Sequence, residues 1–118
     1  MANYNGWQGN FLPSVAATIA NGNQESTVIH CLGLSLVGIA LPAAFTGTAL
    51  TFEACDTVDG TFLPVYDTLS GTALSYTVAQ GHFVAIDPAP FQGVAFLKIK
   101  SGSAEAADRA LIVSLKGI

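Results

Sequence analysis

Apolar and polar residues alternate with a period of two along most of this chain, and no segment carries a sustained helical stripe. In "LTFEA", Leu50, Phe52 and Ala54 fall on one face and Thr51 and Glu53 on the other. "VAFLKIK" sets Ala95, Leu97 and Ile99 against Phe96, Lys98 and Lys100, and "ALIVSLK" sets Leu111, Val113 and Leu115 against Ile112, Ser114 and Lys116. Successive side chains of a strand point to opposite faces, so each segment predicts a strand with one buried and one wetter face. Further strands are predicted over 13–20, 26–32, 34–42, 62–67, 72–79 and 82–87. Between them lie short connections rich in turn formers: "NGNQ" at 21–24, "TVDG" at 57–60, "LSG" at 69–71 and "AQG" at 79–81. Many short strands about ten residues apart predict an all-β chain, an antiparallel β-sandwich or barrel, and not an α/β fold. In "DPAPFQG" (87–93) Pro88 and Pro90 exclude a regular strand or helix and leave room for a single helical turn. "SGSAEAADR" (101–109) has room for one or two turns of helix at most.

Residues 1–12 break this pattern, being polar and uncharged with isolated aromatics, Tyr4, Trp7 and Phe11. Such a segment becomes ordered only by packing on something else. The chain therefore divides into an N-terminal extended arm (1–12), expected to dock on a neighbouring subunit, and a β-sandwich domain (13–118).

Composition narrows the classes. At 118 residues the chain is one domain. It is 51% hydrophobic and only 10% charged, where about a quarter is usual. Either neighbouring subunits cover much of its surface or Thr, Ser, Asn and Gln supply the polar exterior; a homo-oligomer, dimer or trimer, is expected. The net charge is −4, and the four basic residues (Lys98, Lys100, Arg109 and Lys116) all lie near the C-terminus. Nucleic-acid binding needs cations to neutralise phosphates, so no nucleic-acid partner is expected. Ser26 to Phe52 is free of charge and long enough to span a bilayer, yet it contains Gly33, Gly38, Pro42 and Gly47. A helix there would lose a hydrogen bond at Pro42 and accumulate glycine penalties, so buried strands are predicted and no membrane span. The N-terminus lacks the basic and apolar regions of a secretion signal, which points to cytosolic folding with Cys31 and Cys55 reduced. Each cysteine reads as a small buried hydrophobe in a strand, and a disulfide between them stays open, because sequence does not place their Cα atoms.

Candidate chemistry centres on "TFEACDTVDGTFLPVYD" (51–67), where Asp56, Asp59 and Asp67 gather. Counted as a calcium loop from Asp56, Asp67 falls at position 12, but positions 3 and 5 are Val58 and Gly60, which offer no side-chain oxygen. The same residues make sense as a hairpin, with Asp59-Gly60 supplying the left-handed pair between Phe52 and Phe62. His30 and His82 lie on separate predicted strands without metal-ligand spacing. "GLSLVG" (33–38) is one residue too long for a nucleophile elbow. No phosphate-binding or dinucleotide fingerprint occurs. Paired carboxylates stay open, because their separation is spatial, but short turns leave little room for a cleft. No enzyme, cofactor or metal is expected. Trp7, Tyr66, Tyr76 and Phe91 are of a type that stacks on sugar rings, although core or interface packing is the more general use of such residues.

Three phrases occur in order: "IALPAAFTGTALTFEACDTVDGTFLPVYD" (39–67), "FVAIDPAPFQGVAFLKIKSGS" (83–103) and "AADRALIVSLKG" (106–117). Together they resemble a family of small virion structural proteins of tailed bacteriophages, over roughly residues 36–117. Such sequences often carry Ser where Cys55 stands, and a longer loop where "SAEAAD" is short here. The resemblance implies a jelly-roll-like sandwich acting as a capsid decoration or cement protein, without catalytic residues. It implies as partners the major capsid protein and neighbouring virion proteins, and as location the capsid surface of the virion, after synthesis and assembly in the host bacterial cytoplasm. Candidate contact residues are Tyr4, Trp7 and Phe11 of the arm and Pro88, Pro90 and Phe91 of the proline loop, since aromatic anchors are favoured interface residues. The alternative is a carbohydrate-binding or adhesion module of a phage head or tail fibre. A small hydrolase would need clustered carboxylates or a histidine-centred pair.

Overall fold

The computed structural model describes residues 14–117; the expected arm, with Tyr4, Trp7 and Phe11, lies outside them. Among the described residues the chain is all-β and antiparallel, with one 3₁₀ turn (Ala89–Phe91) and no α-helix. The strands are β1 (Ser14–Ile19), β2 (Ile29–His30), β3 (Ser35–Ala40), β4 (Ala49–Cys55), β5 (Leu63–Pro64), β6 (Tyr66–Asp67), β7 (Thr72–Ala73), β8 (Ser75–Thr77), β9 (Phe83–Ala85), β10 (Phe96–Ser101) and β11 (Arg109–Lys116). A first sheet runs β1-β11-β3-β9. A second runs β2-β10-β4, with the far edge of β4 shared by β5 and β8, and β6-β7 form a separate small hairpin.

Alternation in the sequence becomes the core. Ala17, Ile19, Leu36, Ile39, Leu111, Val113 and Leu115 of the first sheet and Ile29, Leu50, Phe52, Leu97 and Ile99 of the second are all at most 2% exposed and form one cluster. Phe45, Val78, Ile86 and Phe91 close it from the connections. The result is a sandwich-like pair of sheets sharing one apolar interior. The chain crosses between the sheets repeatedly: β1, β3, β9 and β11 belong to the first, and β2, β4, β5, β8 and β10 to the second.

The first of these crossings to involve tight turn chemistry is β2 to β3. Leu32 (φ 55°) and Gly33 (φ 81°) are both left-handed, and the Leu34 amide donates to the Cys31 carbonyl at 2.9 Å. Positive φ at both central residues defines a type I′ turn, normally filled by Asn, Asp and Gly. The Asp59-Gly60 reversal differs from expectation. β4 and β5 do pair (Glu53 with Pro64, Ala54 with Leu63), but Gly60 is not left-handed and Phe62 lies outside the strands. Instead the Gly60 amide donates to the Thr57 carbonyl at 3.3 Å, which places Gly60 last in a turn within a longer loop. A Cβ there would collide with the Thr57 and Cys55 side chains, so space and not φ favours glycine.

The charge-free stretch 26–52 resolves into β2, the turn, β3 and the start of β4. Among the described residues no helix is long and apolar enough to cross a membrane. Both cysteines are free thiols. Cys31 is buried and its amide bonds the Ala95 carbonyl on one side of β10, whereas Cys55 sits opposite Phe96 on the other side. With β10 between them their Cα atoms are about 10 Å apart, beyond disulfide reach.

Candidate functional site

The acidic cluster disperses in space. Asp56 and Asp59 are exposed in the β4–β5 loop, while Asp67 belongs to the β6–β7 hairpin and accepts the Leu69 amide at 3.0 Å. Among the described residues no group of three or more His, Cys, Asp or Glu side chains converges as a metal site would. His30 stands exposed at the edge of the second sheet, edge-on to Phe96 at 5.1 Å. His82 is exposed beside β9 of the first sheet, with Nδ1 2.8 Å from the Gln80 carbonyl. In the proline loop Pro90 is exposed and Pro88 half-buried, but Phe91 is only 1% exposed. The 3₁₀ turn, closed by the Phe91 amide on the Pro88 carbonyl (2.9 Å), swings the ring inward against Phe52 at 5.0 Å. Phe91, expected as a contact residue, is therefore a core residue, and Pro90 is the exposed member of the three.

One carboxylate pair does form. On the outer face of the second sheet Glu53 stands opposite Lys98, and Glu25 stands opposite Lys100 in an isolated backbone pairing. Lys98 Nζ lies 3.9 Å from Glu25 and 4.6 Å above the Phe62 ring. Burial raises the Glu53 carboxyl above its usual range, a hydrogen bond with Glu25 and its like charge raise it further, and Lys100 and Lys98 partly offset this. A pair of neighbouring carboxylates suits acid–base work only where a cleft holds substrate against both groups. A depression of about 550 Å³ lies alongside, lined by Gly22, Asn23, Gln24, Ser26 and Lys100, but Glu25 alone of the pair faces it. The arrangement is a solvated ion network.

A different carboxylate, unmarked in the sequence, organises the end of the sandwich. Glu105 is 1% exposed. One of its oxygens accepts from the Thr46 amide (3.0 Å) and Arg109 Nε (2.9 Å), the other from the Gly47 amide (3.0 Å) and the Ser101 hydroxyl (3.1 Å). Burial alone would raise its pKa; the hydrogen bonds from Arg109, Thr46 and Ser101 outweigh burial and leave it lowered. With four donors on two oxygens it has no capacity left for a substrate, so it acts as a clamp between the β3–β4 and β10–β11 connections.

Two surfaces remain. A groove of about 420 Å³ lies between the β6–β7 hairpin and the 3₁₀ turn, lined by Tyr66, Asp67, Leu69, Tyr76, Asp87 and Pro90 among others. Tyr66 is 59% exposed, whereas the Tyr76 ring rests edge-on against Phe52 and its hydroxyl accepts the Asp87 amide at 3.3 Å. The second surface is the outer face of the first sheet. The register aligns Ala16, Ile112, Ala40 and Phe83 in one row and Ser14, Ser114, Gly38 and Ala85 in the next. Phe83 is 62% exposed and its ring covers Gly38, where any Cβ would meet it. No charge interrupts these two rows.

Comparison with family models, curated proteins and solved structures finds no match to this chain. Its surfaces must be interpreted from their own chemistry.

Proposed function

We propose that this chain is a non-enzymatic structural protein of a tailed-bacteriophage virion, a decoration or cement protein that binds the outside of the head shell. The observation that carries the proposal is the strand order. β1-β11-β3-β9 faces β2-β10-β4 with β5 and β8 sharing a fourth position, an order that supports reading the fold as a jelly roll, eight strand positions in two four-stranded sheets. Viral capsid domains and lectins are common users of that architecture, and the three ordered phrases point to the former. Fold alone does not carry function. Supporting it is the division of charge between the sheets: Glu25, Glu53, Lys98 and Lys100 crowd the second, while the outer face of the first carries Lys116 at one end beside two neutral rows bearing Ile112 and Phe83. A neutral patch with an exposed aromatic suits docking on protein.

The arm, residues 1–12, is assigned to attachment in this reading, with Tyr4, Trp7 and Phe11 as anchors and Pro90 as a second contact. Deleting residues 1–11 should abolish binding to purified heads while leaving thermal unfolding unchanged; unaltered occupancy on the heads contradicts the assignment.

The Tyr66–Tyr76 groove favours a second reading, a carbohydrate-binding module of a head or tail fibre. An exposed ring beside two carboxylates offers a stacking platform and acceptors for sugar hydroxyls. A glycan array that returns hits lost on Tyr66→Ala supports it, and an array with no hits counts against it.

A further inference from the structure

The edges of the two sheets are protected unequally. β2 and β5 have two residues each, with Pro64 in β5, and β8 and β9 have three each. Short strands and proline are standard ways of blunting an edge against pairing. β1 has six residues, Ser14-Val15-Ala16-Ala17-Thr18-Ile19, with neither a charge nor a proline. Its far end is covered, because Thr18 donates its amide to Thr27 Oγ1 (3.1 Å) and accepts the Thr27 amide at its carbonyl (2.9 Å). Main-chain groups alternate in direction along an antiparallel strand, so the N–H and C=O of Ala16 and Ser14 point the same way as those of Thr18, away from β11. Val15 shares the inner face with Ala17 and Ile19, yet it is 37% exposed where they are fully buried.

We propose that β1 pairs antiparallel with β1 of a second copy, about a two-fold axis through Val15. In that register Ser14 faces the partner copy's Ala16 and Ala16 its Ser14. The four outward amides then meet the four outward carbonyls, and the two Val15 side chains lie side by side. A second copy fits better than an unrelated strand because the outward groups, unpartnered among the described residues, are self-complementary about that axis, the one exposed inner-face residue of β1 is covered by its own equivalent, and the segment is neutral in a chain of net charge −4. Such an isologous contact closes as a dimer by strand addition. It specifies the homo-oligomer expected from composition, and it does not depend on attachment to a phage head.

The test uses the full chain. Sedimentation over a concentration series should show the monomer mass doubling as concentration rises. Ala16→Pro removes an outward amide and leaves the ladder to β11 intact, so dimerisation should weaken about tenfold to a hundredfold with unchanged circular dichroism. Independently of that variant's folding, Val15→Cys on a Cys31→Ser, Cys55→Ser background should oxidise to a disulfide-linked dimer, since facing non-hydrogen-bonded residues approach to about 4.5 Å between Cα atoms. Leu69→Cys, 97% exposed at a distant turn, should not. A monomer at every concentration overturns the proposal, as does a dimer indifferent to Ala16→Pro or an uncrosslinked Val15→Cys. A monomer whose Ser14 and Ala16 amides resist hydrogen exchange also overturns it, and assigns the edge to the chain's own residues 1–13.

Discussion

Replacing Glu105 by alanine should destabilise the sandwich by about 3–5 kcal/mol, the usual loss when one member of a buried ion pair is removed and its partner left behind. The partner is Arg109, whose side chain is 13% exposed and whose Nε donates to Glu105 at 2.9 Å. The same substitution strips the acceptor from the Thr46 and Gly47 amides and the Ser101 hydroxyl, and a buried donor left unsatisfied costs about 1–3 kcal/mol. Water entering the vacated space offsets part of that, so the ion-pair figure is the one to use. A domain of this size has about 5–15 kcal/mol in total, and the melting temperature should fall by roughly 10–20 °C. Glu105→Gln keeps the shape but turns an NH₂ toward donors, which should cost about 1.5–3 kcal/mol. Urea and thermal unfolding followed by circular dichroism at neutral pH measure both. A loss under about 1 kcal/mol for the alanine variant would refute the clamp, because it would mean that water or rearrangement satisfies all four donors. The pH dependence is a second check. Glu105 has a lowered pKa in the folded chain, so its contribution is complete above the ordinary carboxylate value of about 4.3 and is lost as pH falls through the lower folded value. The stability gap between the native chain and Glu105→Gln should therefore narrow in acid; a constant or widening gap contradicts the assignment.

Phe91→Ala should cost about 3–5 kcal/mol of stability, as for a buried aromatic, whereas Pro90→Ala should be nearly neutral in the same unfolding assay. The two thiols should react with a thiol reagent in sequence, Cys55 in the native protein and Cys31 only on unfolding, since Cys31 is buried and burial pushes its thiol pKa up. Simultaneous reaction in the native state contradicts the packing around β2. No intramolecular disulfide should form under mild oxidation, which a mobility comparison with and without reductant checks.

The strands were legible because a half-buried antiparallel sheet writes a period of two into the sequence. Leu50, Phe52, Leu97, Ile99, Leu111, Val113 and Leu115 all lie in the core as their alternation predicts. Features that depend on residues distant in sequence were not legible. Glu105 sits between two alanines with no local mark of burial; its donors come from Thr46, Gly47, Ser101 and Arg109, which meet only when the two connections close on each other. Phe91 was a candidate contact as an aromatic in a proline loop, yet the turn that Pro88 initiates points the ring inward. Leu32-Gly33 lacks the Asn or Asp that usually announces a type I′ turn, so that crossing showed only in φ. The neutral rows of the first sheet depend on the register that sets Ile112 beside Ala16 and Ala40, which no single strand reveals.

The proposal that this is a virion protein is tested most directly by electron cryomicroscopy of phage particles purified from lysates in which the chain is expressed, with mass spectrometry of the same preparation. If the chain decorates the head, density matching the two-sheet body will stand at symmetry-related positions on the outer shell, the first sheet or the N-terminal arm against capsid protein. If the chain is absent from purified particles, the virion assignment fails. Density confined to the tail contradicts the assignment to the head and favours the fibre module.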